Sequence, residues 1–248
     1  MNRLTVFFVV SLIMSMSLTT DLIAQDWANL NRFREENLKI GSPKENEDRV
    51  VFMGNSITEG WIRQVPEFFT GRPYINRGIS GQTTPQMLIR FRQDVIKLQP
   101  KVVVILAGTN DIAGNTGPSS LEMIEDNLYS MTELAQFHGI QVVLCSVLPA
   151  ADYPWRPGLN PAPKIMELNR RIKEYAQNHN AIYCDYFSIM ADENNGLPKK
   201  LSEDGVHPNK EGYALMAPLV ESAISEALTR GKATADAKCH CTHILKEE

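Results

Sequence analysis

The sequence is poor in cysteine: four in 248 residues, too few for a disulfide scaffold. It has no excess of positive charge. Its 25 Lys and Arg face 29 Asp and Glu, a formal net charge of −4, whereas a general nucleic-acid binder needs a basic face. It has no internal repeat and no low-complexity segment, which excludes solenoids and arrays. After residue 18 no apolar run is long enough to span a membrane. What is present is ordinary globular composition, 43% hydrophobic and 22% charged. One core of about 200 residues is the default for such a length, and it can form without disulfide or metal staples.

The N-terminus reads as a targeting segment. Met1-Asn2-Arg3 brings one positive charge, Leu4 to Leu18 is apolar apart from Thr5 and scattered serines, and Ala24-Gln25 follows a polar stretch. This order of a charged region, an apolar region and a small residue predicts a secretory signal over 1–24, cleaved after Ala24, with export to the periplasm or beyond. The alternative is an uncleaved anchor helix. The apolar run is about 15 residues, short of the roughly 20 that span a bilayer, so no membrane span is expected once the signal is cleaved. No cysteine lies near the junction to carry a lipid anchor. Residues 25–47 form a polar N-terminal extension, with Trp27, Leu30, Phe33 and Leu38 at the spacing of a short helix lying on the outside. The main domain is expected over 48–230, and a loosely ordered C-terminal tail over 231–248.

Within 48–230, apolar runs alternate with amphipathic stretches. Arg49–Met53, Tyr74–Ile79, Lys101–Ala107, Gln141–Val147 and Ala181–Tyr186 read as strands. Pro85–Leu98, Ser120–Phe137, Lys164–Asn178 and Asn209–Thr229 read as helices, the last with Pro218 as a possible kink. Such alternation predicts an α/β fold with a five-stranded parallel sheet covered on both faces. Ligands of open parallel sheets bind outside the carboxyl ends of the strands. The residues that follow the strands are Gly54-Asn55-Ser56-Ile57, Ser80-Gly81-Gln82, Gly108-Thr109-Asn110-Asp111 and, after the fifth, Asp204-Gly205-Val206-His207-Pro208.

These residue types suit acyl transfer, which needs a nucleophile, a base, a group that orients the base and donors for an oxyanion. Ser56 sits at a tight turn past a strand. His207 is the histidine expected at that edge, and Asp204, three residues earlier, can reach one ring nitrogen while the other faces the serine. Candidate oxyanion donors are the Ser56 N–H, the Gly81 N–H and the Asn110 side chain. Taken singly, Ser56 could be a helix N-cap, His207 a loop histidine and Gly81 a turn glycine.

At these residues the chain resembles the SGNH branch of the GDSL esterase/lipase family. Gly54-Asn55-Ser56-Ile57 matches the family's Gly-Asp-Ser-Leu, Asn76–Gly81 its second block, Gly108–Asp111 its Gly-x-Asn-Asp, and Asp204–Pro208 its Asp-x-x-His-Pro. The four blocks occur in the family's order. Two positions depart from it: Asn55 stands for Asp and Ile57 for Leu. The resemblance implies a three-layer α/β/α, flavodoxin-like fold, a Ser56–His207–Asp204 triad with Ser56, Gly81 and Asn110 as the oxyanion hole, and a mechanism without metal or other cofactor. The wording of the motifs is most similar to secreted bacterial members related to platelet-activating-factor acetylhydrolase subunits, which implies short acyl groups, especially acetyl.

The expected function is therefore an exported serine esterase acting on a small-molecule or carbohydrate ester, with acetylated carbohydrate favoured. Alternatives are a lipid or lysophospholipid acylhydrolase, an acyltransferase, and a non-catalytic carbohydrate-binding protein on the same fold. Trp61, Tyr153 and Trp155 are candidates to line a substrate cleft, with plain packing as the equal alternative. Asp111 reads as structural, Arg90 and Arg92 as a solvated helix face, His138 and His179 as helix C-terminal residues, and Cys145 and Cys184 as buried inert thiols. The Cys239–His243 cluster is open between no role, an exposed disulfide or reactive thiols, and a metal site. The oligomeric state leaves no trace in the sequence.

Overall fold

The structure, a computed structural model, describes the backbone of residues 26–244 and the side chains of residues 26–233. The expected signal segment lies outside the described residues, as do the side chains of the Cys239–His243 cluster. Five short strands form one all-parallel sheet: β1 (Val50–Gly54), β2 (Tyr74–Gly78), β3 (Val102–Leu106), β4 (Gln141–Cys145) and β5 (Ile182–Cys184). Their order across the sheet is β2-β1-β3-β4-β5. This is the flavodoxin-like order, and its direction reverses between β1 and β3, where doubly wound sheets bind ligands.

The helices are α1 (Arg34–Ile40), α2 (Ser56–Gln64), α3 (Thr84–Asp94), α4 (Thr109–Ile112), α5 (Leu121–Phe137), α6 (Ala162–Asn178), α7 (Phe187–Met190) and α8 (Lys210–Ile244). Successive strand residues point to opposite faces, so each strand feeds two cores. Val51, Met53, Val103, Ile105, Val142 and Leu144 pack on α3, α5 and α6. Val50, Phe52, Val102, Val104, Leu106 and Val143 pack on α2 and α8. The result is the expected three-layer α/β/α architecture. Helix starts follow local chemistry. The Ser120 hydroxyl caps α5 by accepting from Met123 N–H at 3.2 Å, and Thr83 with Gln86 forms a capping box at α3.

Three expectations are corrected. First, α8 continues to Ile244 with Pro218 inside it, so the segment after Arg230 extends the helix where a loose tail was expected. Second, Trp61 is 2% exposed and does not line a cleft. It stacks on Phe68 at 4.6 Å and on Tyr213 at 5.2 Å between ring centroids, and the Tyr213 hydroxyl donates to the Ile57 carbonyl at 2.7 Å. Trp61 thus belongs to the seam that locks α2, which begins at Ser56, against α8, which begins just after His207. Third, Arg90 is fully buried, whereas Arg92 is exposed as expected.

Arg90 lies under the switch point. Its guanidinium donates to Gly54 O at 3.1 Å, to Gln82 Oε1 at 2.5 Å and to Asp94 Oδ2 at 3.1 Å. Burial lowers its pKa to about 10, partly offset by the neighbouring Asp94 charge, so it stays a cation at neutral pH. The N-terminal extension docks on the same side. Gln82 Nε2 donates to Ala28 O at 2.8 Å, Gln86 Nε2 to Trp27 O at 2.7 Å, and Gln93 Nε2 to Leu30 O at 2.5 Å.

Arg90→Ala leaves the Asp94 carboxylate buried without its cation. Urea unfolding is expected to show a loss of about 3–5 kcal/mol. Arg92→Ala is expected to change stability by no more than about 0.5 kcal/mol. Equal, small effects from the two variants would mean that the buried pair does not hold the fold.

Candidate active site

Strand β1 ends at Gly54, and the chain turns at once into α2. Asn55 is the N-cap: its Oδ1 accepts from Ile57 N–H at 3.0 Å. Asparagine therefore performs the local bond that the family's aspartate would supply, without the charge. Ser56 becomes the first helical residue, where its N–H has no intrahelical partner. The Cβ that any other residue would add at Gly78, on neighbouring β2, would lie 2.2 Å from Glu59 N, so glycine is needed for α2 to pack so closely.

The Ser56 Oγ lies 2.8 Å from His207 Nε2. On the far side of the ring, His207 Nδ1 lies 2.7 Å from Asp204 Oδ2. The other carboxylate oxygen accepts from Ser202 Oγ at 3.0 Å, Val206 N–H at 2.9 Å and His207 N–H at 2.8 Å. Partial burial raises the Asp204 pKa, but the bonds from His207 and Val206 outweigh it and lower the value to about 2. At neutral pH Asp204 is ionised and can only accept, so Nδ1 must carry the hydrogen. In the neutral ring that leaves Nε2 as an acceptor for the serine hydroxyl. The imidazole side chain is 39% exposed, so this edge opens to solvent.

The turns after β2 and β3 meet beside Ser56. Gly81 adopts φ +78°, the left-handed region that favours glycine. Ser80 donates its N–H to Glu59 Oε2 at 3.1 Å, and its hydroxyl donates to the same oxygen. Asn110 Nδ2 donates to Gln82 O at 2.9 Å. A primary amide has two hydrogens, so one remains for another acceptor. Next to it Asp111 accepts from Thr84 N–H at 2.9 Å and from Thr84 Oγ1 at 2.6 Å, the structural use expected for it.

The structure thus brings Ser56, His207, Asp204, Gly81 and Asn110 to one sheet edge. Of the three aromatics expected to line a cleft, only Trp155 is at the surface. It is 40% exposed, with its ring centroid 6.2 Å from that of His207. Tyr153 is fully buried beneath it, stacked at 5.1 Å, and like Trp61 is a packing residue. Cys145 and Cys184 are free and buried, and burial holds the Cys145 thiol well above the usual thiol range. Sequence reasoning missed Arg90, Gln82 and Glu59 as supports of the two turns. Glu59 and Gln82 stand inside or beside the quoted motifs. Arg90 carried one local signal, an aspartate four positions later.

The model of the GDSL-like Lipase/Acylhydrolase family matches residues 52–215. The chain belongs to this family. A solved GDSL-like lipase from Bacteroides thetaiotaomicron is 50% identical, with a TM-score of 0.79 over 81% of this chain and 98% of that one. An acetylxylan esterase from Xylanibacter ruminicola is 26% identical over 222 residues, 75% of this chain and 45% of that protein. This chain therefore spans less than half the length of that relative. An acetylxylan esterase from Geobacillus stearothermophilus is 24% identical over 212 residues, 73% of this chain and 93% of that protein.

Asp111 supplies a pH test. Burial raises its pKa to about 6, against the partial compensation of the Thr84 bonds. The folded state then holds this proton where the unfolded chain, near its ordinary value of 3.8, has lost it. Stability from this group is full below about pH 4 and declines by about 3 kcal/mol as pH rises to 6 and above. Asp111→Asn is expected to remove that component of the slope of Tm against pH between 4 and 6. An unchanged slope would assign it to other groups.

Proposed function

We propose that this protein is an exported serine esterase that removes short acyl groups, chiefly acetyl, from oxygen esters of carbohydrates. The observation that carries this reading is the hydrogen-bonded line from Ser56 Oγ through His207 to the ionised Asp204. Such a line converts a weak hydroxyl into a nucleophile.

Ser56 Oγ attacks the ester carbonyl as His207 Nε2 takes its proton. Asp204 fixes the ring and stabilises the imidazolium. The tetrahedral oxyanion rests on the N–H groups of Ser56 and Gly81 and on the free hydrogen of Asn110. The N-terminus of α2 adds its partial positive charge. As the intermediate collapses, the C–O bond to the alcohol breaks and the alcohol oxygen leaves with the proton held by His207. Water then gives a proton to His207 and its oxygen to the acyl carbon, which releases the acid and restores Ser56.

Acetyl specificity is supported by the two relatives described as acetylxylan esterases. A carbohydrate alcohol is supported by the open edge and by the exposed indole near His207. Export is supported by the signal-like N-terminus.

The test is hydrolysis of p-nitrophenyl acetate, butyrate and octanoate. The expected order is acetate fastest and octanoate slowest, with all activity lost in Ser56→Ala. Asn110→Ala should lower kcat by about 10²- to 10³-fold with KM little changed, the cost of one oxyanion donor. Rates that rise with chain length would favour a lipid substrate. Equal rates for wild type and Ser56→Ala would refute the serine mechanism.

A further inference from the structure

Trp155 and Asn115 stand beside this machinery without a role in the chemistry. The indole is exposed, yet its orientation is fixed twice. One face stacks on Tyr153 at an interplanar angle of 23°, and its Nε1–H donates to Asn115 Oδ1 at 3.1 Å. The same Asn115 amide turns its Nδ2 to Gly81 O at 3.4 Å. Its backbone N–H donates to Asn110 O at 3.0 Å. One asparagine therefore touches both oxyanion residues and the tryptophan. Arg156 adds a second tie across the same gap, donating to Gly114 O at 3.2 Å.

An indole held rigid in water keeps apolar area exposed that a mobile side chain could hide. Such preorganisation favours a bound partner, because the ordering cost is already met. The place of the ring identifies the partner. His207 must deliver its proton to the departing alcohol oxygen, so the alcohol half of the ester lies on the histidine side of the carbonyl. The Trp155 ring, with its centroid 6.2 Å from that of the imidazole, stands next to the residue that makes this transfer. The C–H face of a pyranose fits a flat aromatic surface, and a methyl or ethyl group is too small to cover one.

We propose that Trp155 is the platform for the alcohol half of the substrate and selects ring-shaped polyols. Asn115 is the positioning residue that sets this platform at a fixed offset from the oxyanion hole. The proposal rests on the acylhydrolase reading above and adds to it the residue that chooses the leaving group.

The test compares methyl tri-O-acetyl-β-D-xylopyranoside with methyl acetate, following acid release by pH-stat. Trp155→Ala is expected to lower kcat/KM on the sugar acetate about five- to tenfold, mainly through KM, and to leave methyl acetate within about twofold. Trp155→Phe, which keeps a ring but loses the Asn115 bond, should fall between wild type and Trp155→Ala. Asn115→Ala should reduce the ratio of the two activities in the wild-type background and leave it unchanged in the Trp155→Ala background, because the two residues act as a unit. Equal losses on both esters would mark Trp155 as a packing residue and overturn the proposal. So would an unchanged sugar-to-methyl ratio in a Ser56-dependent enzyme. A wild type inactive on both esters, or a Ser56→Ala variant that is active, would refute the acylhydrolase reading itself and take the platform with it.

Discussion

The geometry of the sheet edge depends on the buried guanidinium of Arg90. Three turns leave the sheet at neighbouring strand ends, and turns alone have little to fix them relative to one another. Arg90 binds the carbonyl that ends β1 and the side chain of Gln82 in the turn after β2. Gln82 in turn offers its carbonyl to Asn110 after β3. A planar group with several donors in a fixed fork can hold such an arrangement where lysine, a point charge on a flexible stem, could not. The desolvation of the cation is offset by Asp94 one helical turn away. Without this anchor Ser56 and Asn110 would sit on separate loops with no shared reference.

Two aspartates at this edge show how environment divides identical chemistry. Asp204 is half-exposed, and one of its oxygens takes three donors while the other faces the imidazole. Its charge is stabilised over the whole range in which a histidine base can work. Asp111 is buried behind the Asn110 turn, where its donors are the N–H and hydroxyl of Thr84 and its own backbone N–H. Its charge is disfavoured. Only the first can polarise a histidine. The second holds the start of α3 beside Asn110.

Most of the fold was legible because buried parallel strands must be continuous apolar runs, as Val102–Leu106 is, and because helix caps such as Ser120 leave local signatures. The candidate site was legible for a different reason. Three of its blocks follow strands directly, so sheet topology brings Ser56, Gly81 and Asn110 to one edge, whereas Asp204 and His207 come after β5 and α7 and were legible through the resemblance of their block to the family's motif. What escaped was set by long-range packing. Arg90 reads as a surface residue because an isolated arginine cannot be buried, and two of its three partners lie 8 and 36 positions away. Trp61 follows Ser56 closely enough to suggest a cleft, but α2 turns it inward onto Tyr213, a residue that local spacing cannot connect to it. The continuation of α8 past Arg230 carries no strong apolar face to announce it.

The extension before β1 is gripped in an unusual manner. Gln82, Gln86 and Gln93 reach out from the turn after β2 and from α3 and take hold of the carbonyls of Ala28, Trp27 and Leu30. Every residue carries a carbonyl, so these three contacts recognise the path of the chain and are indifferent to its letters. Changes at the exposed Trp27 and Leu30 can accumulate without loosening this grip, whereas Ala28 is buried and Asn29 holds a positive φ, and a single inserted or deleted residue would shift every carbonyl out of register. The brace that this segment provides beside Gly81 thus constrains its length and path more tightly than the identity of its exposed side chains.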